Sequence, residues 1–218
     1  MYKFIKRFLD IMLSMSALIV LMPLFLLVMA VLKFTGERQV FFRQERMGIN
    51  GTYFRIWKFV TMVKDSPKMD GGFNTKTNDP RVLPVGRFLR KTKINELPQL
   101  FNILLGDMSI VGPRPLVDKP YPPYPQEDKM LIYSVRPGLT GLGSVVFRDE
   151  ERILTESPLS AEECYAKVIS PYKGKLEMYY LAHFGLWTDV KLIFLTAWVV
   201  IFSDSKLVEK CFKDLPRP

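Results

Sequence analysis

The chain has 218 residues, 48% hydrophobic and 24% charged, with a formal net charge of +9. That length and apolar content suit one compact domain, with or without a membrane element, and exclude a disordered chain. The positive balance calls for an anionic partner: nucleic acid, an acidic lipid surface or a phosphorylated substrate. Two cysteines, Cys164 and Cys211, stand far apart in no metal-ligand spacing, and the single histidine, His183, cannot by itself build a zinc site or a nucleophile–histidine pair. The cysteine count gives no sign of an oxidising compartment.

The 22 residues Ile11 to Leu32 carry no charge. As a helix they would span about 30 Å, the hydrocarbon thickness of a bilayer. The run is too long for the core of a secretory signal peptide, and no small-residue cleavage site follows it before Lys33. Lys3, Lys6 and Arg7 precede it; Lys33, Arg38, Arg43 and Arg46 follow. Spanning helices usually show a one-sided excess of such charges. Pro23 removes a backbone hydrogen bond near the middle of the run. Basic flanks at both ends and a central proline fit a re-entrant hairpin with both ends on the cytoplasmic side; a kinked span remains open beside it.

Next come two aromatic and β-branched runs, Gln39–Gln44 and Thr52–Phe59, with the turn signal Asn50-Gly51 between them, which predicts a short hairpin. Val63 to Asp79 is polar, contains Gly71-Gly72 and reads as a mobile loop. Gly86–Lys93 reads as a helix. Asn95 is placed to cap a further helix, Pro98 suits its first turn, and Gly106 is its stop. Leu97, Leu100, Phe101 and Leu104 form its apolar face. Pro113-Arg114-Pro115 and Arg136-Pro137-Gly138 are rigid turns, each carrying one arginine. Pro120 to Pro125 holds four prolines and predicts extended chain. Asp149 to Glu163 is acid-rich and reads as an exposed excursion, a surface suited to a homodimer contact. Leu192 to Phe202 is apolar but too short to span; with Trp187 and Trp198 nearby it reads as a core helix or one lying in a membrane interface. The fold expected is mostly α with a small β-hairpin: a membrane helix in 1–36, a cytoplasmic-face domain with interfacial amphipathic helices in 37–203, and a tail in 204–218.

Arg81, Arg90, Arg114 and Arg136 all stand beside turn or helix-end signals, and Glu96 stands at a helix start. Arginine forks suit phosphate, and an acid among them suits Mg2+ held against a diphosphate. Taken alone, helix-start acids are more often caps, and arginines in rigid turns are more often structural ion pairs. The +9 charge by itself also admits a nucleic-acid binder, but the chain offers no recognised nucleic-acid module, and basic residues flanking a bilayer segment account for the charge.

The run from Asn95 to Pro115, NELPQLFNILLGDMSIVGPRP, resembles the core signature of the monotopic phosphoglycosyl transferases, the bacterial sugar transferases that begin surface-glycan assembly. Lys6 to Asp10, Phe42 to Gly48, Lys58 to Met62, Asp79 to Arg81, Val135 to Gly141, Tyr179-Tyr180 and Asp189 agree in collinear order, from about Lys3 to Leu195. The resemblance implies a re-entrant helix at the bacterial inner membrane, a UDP-sugar donor, a polyprenol phosphate acceptor such as undecaprenyl phosphate, Mg2+, and UMP as product. It implies that Arg81, Arg90, Arg114, Arg136 and Arg148 handle substrate phosphates and that Glu96 helps hold the metal. In the family an Asp-Glu pair opens the helix, and the Asp forms a covalent phospho-sugar intermediate. Here the Asp position is Asn95, and an amide cannot take that role. Four readings follow: Asn95 as an engineered trap, Glu96 as a substitute nucleophile, direct attack by the acceptor phosphate, or a catalytically silent membrane scaffold. After Gly141 the chain departs again: in Ser144-Val145-Val146-Phe147-Arg148 only the arginine matches, and His183 replaces a usual Asn.

Overall fold

The computed structural model describes residues 2–66, 69, 75–117, 126–202 and 205–217. Gly71-Gly72 of the polar loop and the proline segment 120–125 lie outside the described residues.

The apolar run forms helix α1 (Tyr2–Phe34), continuous through Pro23. By length and composition it could cross a membrane. Asp10, Ser14, Leu18, Phe25, Val28 and Leu32 recur at helical spacing and are buried. Phe4, Phe8, Ile19, Val20, Leu26 and Leu27 are exposed. The buried stripe meets one body along most of the helix. Tyr2 Oη donates to Asp189 (2.5 Å), and Lys6 pairs with the same carboxylate. Asp10 accepts from Ser109 Oγ (3.1 Å) and Ile110 N (3.0 Å). Phe25 packs against Phe59 and Phe101, with ring centroids 5.4 and 6.1 Å apart.

Strands β1 (Phe41–Met47) and β2 (Tyr53–Phe59) form the expected hairpin, in register from Phe41↔Phe59 to Met47↔Tyr53. Asn50 (φ 56) and Gly51 (φ 72) both take the left-handed conformation their dipeptide favours. The ladder carries β1 three residues past the Gln44 at which the sequence pattern stops. Helix α2 (Pro84–Lys91) follows, then α3 (Gln99–Leu105), which ends at Gly106 with φ 99. Leu97, Leu100, Phe101 and Leu104 pack in the same core as Phe25 and Phe59. Fully buried Asn102 ties α3 to the hairpin edge: its Oδ1 accepts from Trp57 N (3.0 Å) and its Nδ2 donates to Arg55 O (2.9 Å).

Two strands have no counterpart in the sequence reading. β3 (Ser109–Val111) and β4 (Gly138–Thr140) pair in parallel, three residues each, too short for a periodic signal. Here the chain around Pro113-Arg114-Pro115 crosses the Arg136-Pro137-Gly138 turn, and the main chains touch. A methyl group on Gly138 would lie 2.1 Å from Gly112 N and 2.3 Å from Thr140 O. Gly138→Ala is therefore expected to destabilise the domain by about 3 kcal/mol or more. Thermal unfolding in detergent checks this; an unchanged midpoint would contradict the close approach.

The remainder is helical: α4 (Gln126–Ile132), α5 (Leu142–Val146), α6 (Glu150–Glu156), α7 (Ala161–Cys164), α8 (Ser170–Ala182), α9 (Leu186–Ile201) and α10 (Leu207–Cys211). A wide π-turn, Tyr165–Ile169, joins α7 to α8. The acid-rich stretch 149–163 is exposed in part: Glu156, Glu162 and Glu163 face solvent, while Leu154 is buried with Cys164 and Ile169 in a cluster against which Phe147 packs. Helix α9 buries Leu192, Leu195 and Val199 and exposes Trp187, Ile193, Phe194 and Ile201. Within 204–218, Val208 and Phe212 join the same core.

Candidate active site

Asn95 and Glu96 lie in a 3-10 turn, Ile94–Glu96, wedged between α2 and α3. Lys93 precedes it with φ 60, in the left-handed region. Asn95 therefore does not cap α3, contrary to the sequence reading. The residue before α3 is Pro98, and no side chain caps that end. The turn buries both side chains instead, Asn95 to 6% exposure and Glu96 to 9%.

Glu96 Oε1 accepts from Lys58 Nζ on β2 and from Arg114 Nη2, both at 3.1 Å. Burial alone would raise this carboxyl, but the charges of Lys58, Arg114 and Lys93 outweigh it and hold Glu96 well below the carboxylate range. Glu96 is thus ionised at working pH. Burial, Arg114 and Arg46 push Lys58 down to about 8, against the pull of Glu96. Burial likewise lowers Lys93. The Glu96 charge raises Arg114. Arg46, on β1, donates from Nη1 to Pro115 O (3.0 Å) and from Nη2 to Gln44 Oε1 (2.6 Å), which pins the turn carrying Arg114. Four cations thus converge on one ionised carboxylate.

Helix α8 backs this group. Glu177, 2% exposed, receives a hydrogen bond from the backbone N–H of Arg114. Burial pushes its carboxyl up to about 7 despite that bond and the nearby Lys173 and Arg114 charges. Lys173, one turn earlier, pairs with Glu150 of α6. A carboxyl raised from 4.5 to about 7 keeps its proton in the folded state while the unfolded chain loses it. Stability is therefore expected to fall as pH rises from 4.5 through 7, by about 3 kcal/mol. Glu177→Gln should abolish that slope and leave a more stable protein at pH 8. Unfolding midpoints of both proteins across pH 5–8 test this, and parallel curves would contradict it.

The five arginines implied by the resemblance do not share one place. Arg114 is in the Glu96 group. Arg90 pairs with Glu151 of α6, and Arg148 donates to Lys91 O (2.6 Å). Both border the group, since Lys93 feels the charges of Glu151 and Arg148. Arg81, 2% exposed, is bidentate to Asp79, with Nη2 2.7 Å from Oδ2. Arg136 donates from Nε to Gly106 O (2.8 Å), beside Arg7, which donates to Ile103 O and Leu104 O. Both therefore satisfy open carbonyls at the C-terminus of α3, the end away from Glu96. Lys58 and Arg46 belong to the hairpin motifs, where their sequence context assigns them no role. Gln99, although within the Asn95–Pro115 signature, and Glu177 had no assigned role, because a polar residue on a helix is shown to be buried only by its neighbours.

Among the described residues no group of three or more His, Cys, Asp or Glu side chains could hold a metal alone. Magnesium at nucleotide sites takes one or two protein oxygens and completes its shell with substrate phosphates and water. Glu96 offers a carboxylate, and Oδ1 of the preceding residue, Asn95, is buried with no hydrogen-bond partner among the described residues. That donor set fits such a shared site.

The candidate site is thus a set of cations gathered round one ionised carboxylate, on a body docked along a long apolar helix. The chain belongs to the bacterial sugar transferase family, whose model matches residues 1–203. It is 34% identical over 208 residues to the undecaprenyl-phosphate glucose phosphotransferase of Komagataeibacter xylinus, covering 91% of this chain and 36% of that protein. It is 35% identical over 198 residues to the UDP-glucose:undecaprenyl-phosphate glucose-1-phosphate transferase of Klebsiella pneumoniae, covering 88% and 39%. It is 34% identical over 213 residues to the exopolysaccharide production protein ExoY of Sinorhizobium fredii, covering 91% and 86%. The chain thus spans under half the length of the first two relatives and most of the third.

Proposed function

We propose that this chain transfers a sugar-1-phosphate from a UDP-sugar to undecaprenyl phosphate, releasing UMP, as the first membrane step of surface-glycan assembly. The observation that carries the reading is the buried Glu96 carboxylate held at 3.1 Å by both Lys58 and Arg114. Arg114, Lys58 and Lys93 neutralise the diphosphate and orient it for in-line attack. Glu96 and Asn95 Oδ1 would hold Mg2+, which when bound would supply charge stabilisation for the leaving phosphate.

Of the readings opened by Asn95, direct transfer has the best support. Glu96 is committed to two salt bridges and its basicity is depressed, both of which weaken a nucleophile. The acceptor phosphate is already anionic and needs no base. Its oxygen attacks the sugar-proximal phosphorus, the bond to the UMP phosphate breaks, and UMP departs with the electron pair.

We place the domain on the cytoplasmic face of the inner membrane, with α1 re-entrant. Support comes from α1 itself: Tyr2, Lys6 and Asp10 at one end and Phe25, Val28 and Leu32 toward the other all pack on one body. A helix carrying its second half across about 30 Å of lipid could not keep those contacts. The exposed apolar side of α9 then lies in the interface.

The test is UMP release by detergent-solubilised protein given UDP-sugars, undecaprenyl phosphate and Mg2+. Folded protein that releases no UMP across a broad UDP-sugar panel defeats the proposal. Asn95 favours one second reading, a silent scaffold. On that reading Glu96→Gln and Arg114→Ala leave cellular polysaccharide unchanged at normal protein levels.

A further inference from the structure

Among the described residues, Gln99 Nε2 and Arg46 Nε are buried donors with no hydrogen-bond partner. Native folds pair nearly all such atoms, so two orphans in one place need a cause. Both residues line one small cavity with Ile56, Lys58, Arg114 and Pro115. Its volume is about 10 Å³, room for one water-sized group.

The position of both residues is fixed by the fold. Gln99 opens α3, directly after the Glu96 turn, and is 2% exposed. Arg46 is anchored through both Nη atoms to Pro115 O and Gln44 Oε1, which leaves Nε as its spare donor. The polar groups around the cavity comprise three cations and one amide, with Glu96 across Lys58 and Arg114 as the balancing carboxylate. Such a lining suits an oxyanion far better than a hydroxyl or an apolar group.

We propose that this cavity seats one phosphoryl oxygen of the substrate, accepted from Arg46 Nε–H and the Gln99 amide, with Lys58 and Arg114 at its rim. The proposal rests on the transferase reading and assigns substrate contact to two residues that reading does not use. The oxygen belongs either to the donor diphosphate or to the acceptor phosphate. Burial depresses Arg46, and an arriving oxyanion relieves it. The orphaned donors are thus a site held open for charge, at the expense of stability without substrate.

The experiment uses the full chain in detergent: parent, Gln99→Leu, Gln99→Glu and Arg46→Lys. Unfolding midpoints are measured without ligand, and affinities are measured for UDP and for a short-chain polyprenyl phosphate. Gln99→Leu removes an orphan, so its ligand-free midpoint should hold or rise. Its affinity for one of the two ligands should drop about ten- to a hundredfold, the effect of losing a hydrogen bond to a charged group. Gln99→Glu keeps the shape and adds a carboxylate that pairs with Lys58, so it should raise the midpoint and abolish binding of the same ligand. Arg46→Lys keeps the charge without Nε–H and should weaken that ligand too. Loss confined to UDP assigns the cavity to the donor; loss confined to polyprenyl phosphate assigns it to the acceptor. Folded variants with both affinities intact would show a structural water site and overturn the proposal. A parent that binds neither ligand would overturn the transferase reading itself, and the cavity assignment with it.

Discussion

Replacing Glu96 by glutamine is expected to abolish UMP release, a loss on the order of a thousandfold or more. Glutamine keeps the shape of the side chain and removes its charge. On the proposed reading the diphosphate then meets Lys58, Lys93, Arg46 and Arg114 without the carboxylate that spaces them, and Mg2+ would lose the Glu96 carboxylate as a ligand. Several kcal/mol of transition-state stabilisation is at stake, and each 1.36 kcal/mol is a factor of ten. The fold should suffer as well. Removing one member of a buried ion pair leaves the other uncompensated and costs about 3 kcal/mol. Lys58, already near 8, would be depressed further once the Glu96 charge that supports it is gone. A second substitution separates the two effects. Lys58→Met in the Glu96→Gln background should restore much of the stability, because the orphaned ammonium is removed, and none of the activity. Recovery of UMP release in that double variant would show that Glu96 serves only to neutralise Lys58.

The elements that sequence made legible are those with a long or chemically explicit signal. Helix α1 declares itself through an uncharged run, the hairpin through Asn50-Gly51, and the end of α3 through Gly106. What was not legible depends on contacts between distant segments. The β3–β4 pair joins Ser109–Val111 to Gly138–Thr140, and nothing local in three residues announces a strand. The same crossing explains why arginines with similar turn signals diverge. Arg114 leaves the crossing toward Glu96, and Arg136 leaves it toward the other end of α3. Their tripeptides, Pro-Arg-Pro and Arg-Pro-Gly, do not distinguish those directions. Asp149 to Glu163 was legible in part for a related reason: Glu156, Glu162 and Glu163 are exposed as its acid content suggests, but Glu150 and Glu151 answer Lys173 and Arg90 across the chain.

Several residues that carried the resemblance hold the fold together. Asp189 gathers Tyr2, Lys6 and Tyr180; Asp10 gathers Ser109 and Ile110; Arg7 satisfies the carbonyls that end α3. These contacts fix α1 against β3, α3 and α9. The short helix α3 therefore has Glu96 and Gln99 at its start and the long apolar helix α1 at its end. A displacement of α1 would be felt at Glu96 through one rigid element of seven residues.

Asn95→Asp is expected to change the kinetic form of the reaction. Asn95 Oδ1 is buried, has no hydrogen-bond partner among the described residues, and belongs to the residue next to Glu96, whose carboxylate is held by Lys58, Lys93 and Arg114. An aspartate of the same shape fits there, and those cations keep it ionised and able to attack phosphorus. In the parent, direct transfer requires that UMP appear only when polyprenyl phosphate is present. In Asn95→Asp a carboxylate can attack first, so UMP should appear as a burst without acceptor, up to one equivalent per protein. Mass spectrometry should then find a phospho-sugar adduct on residue 95. Turnover with acceptor should also rise, by about tenfold or more, since one demanding step becomes two easier ones. A burst from the parent without acceptor would place a nucleophile elsewhere in this chain and rule out direct transfer. Activity confined to the aspartate variant would show that position 95 disables the parent, and the scaffold reading would then replace the enzymatic one.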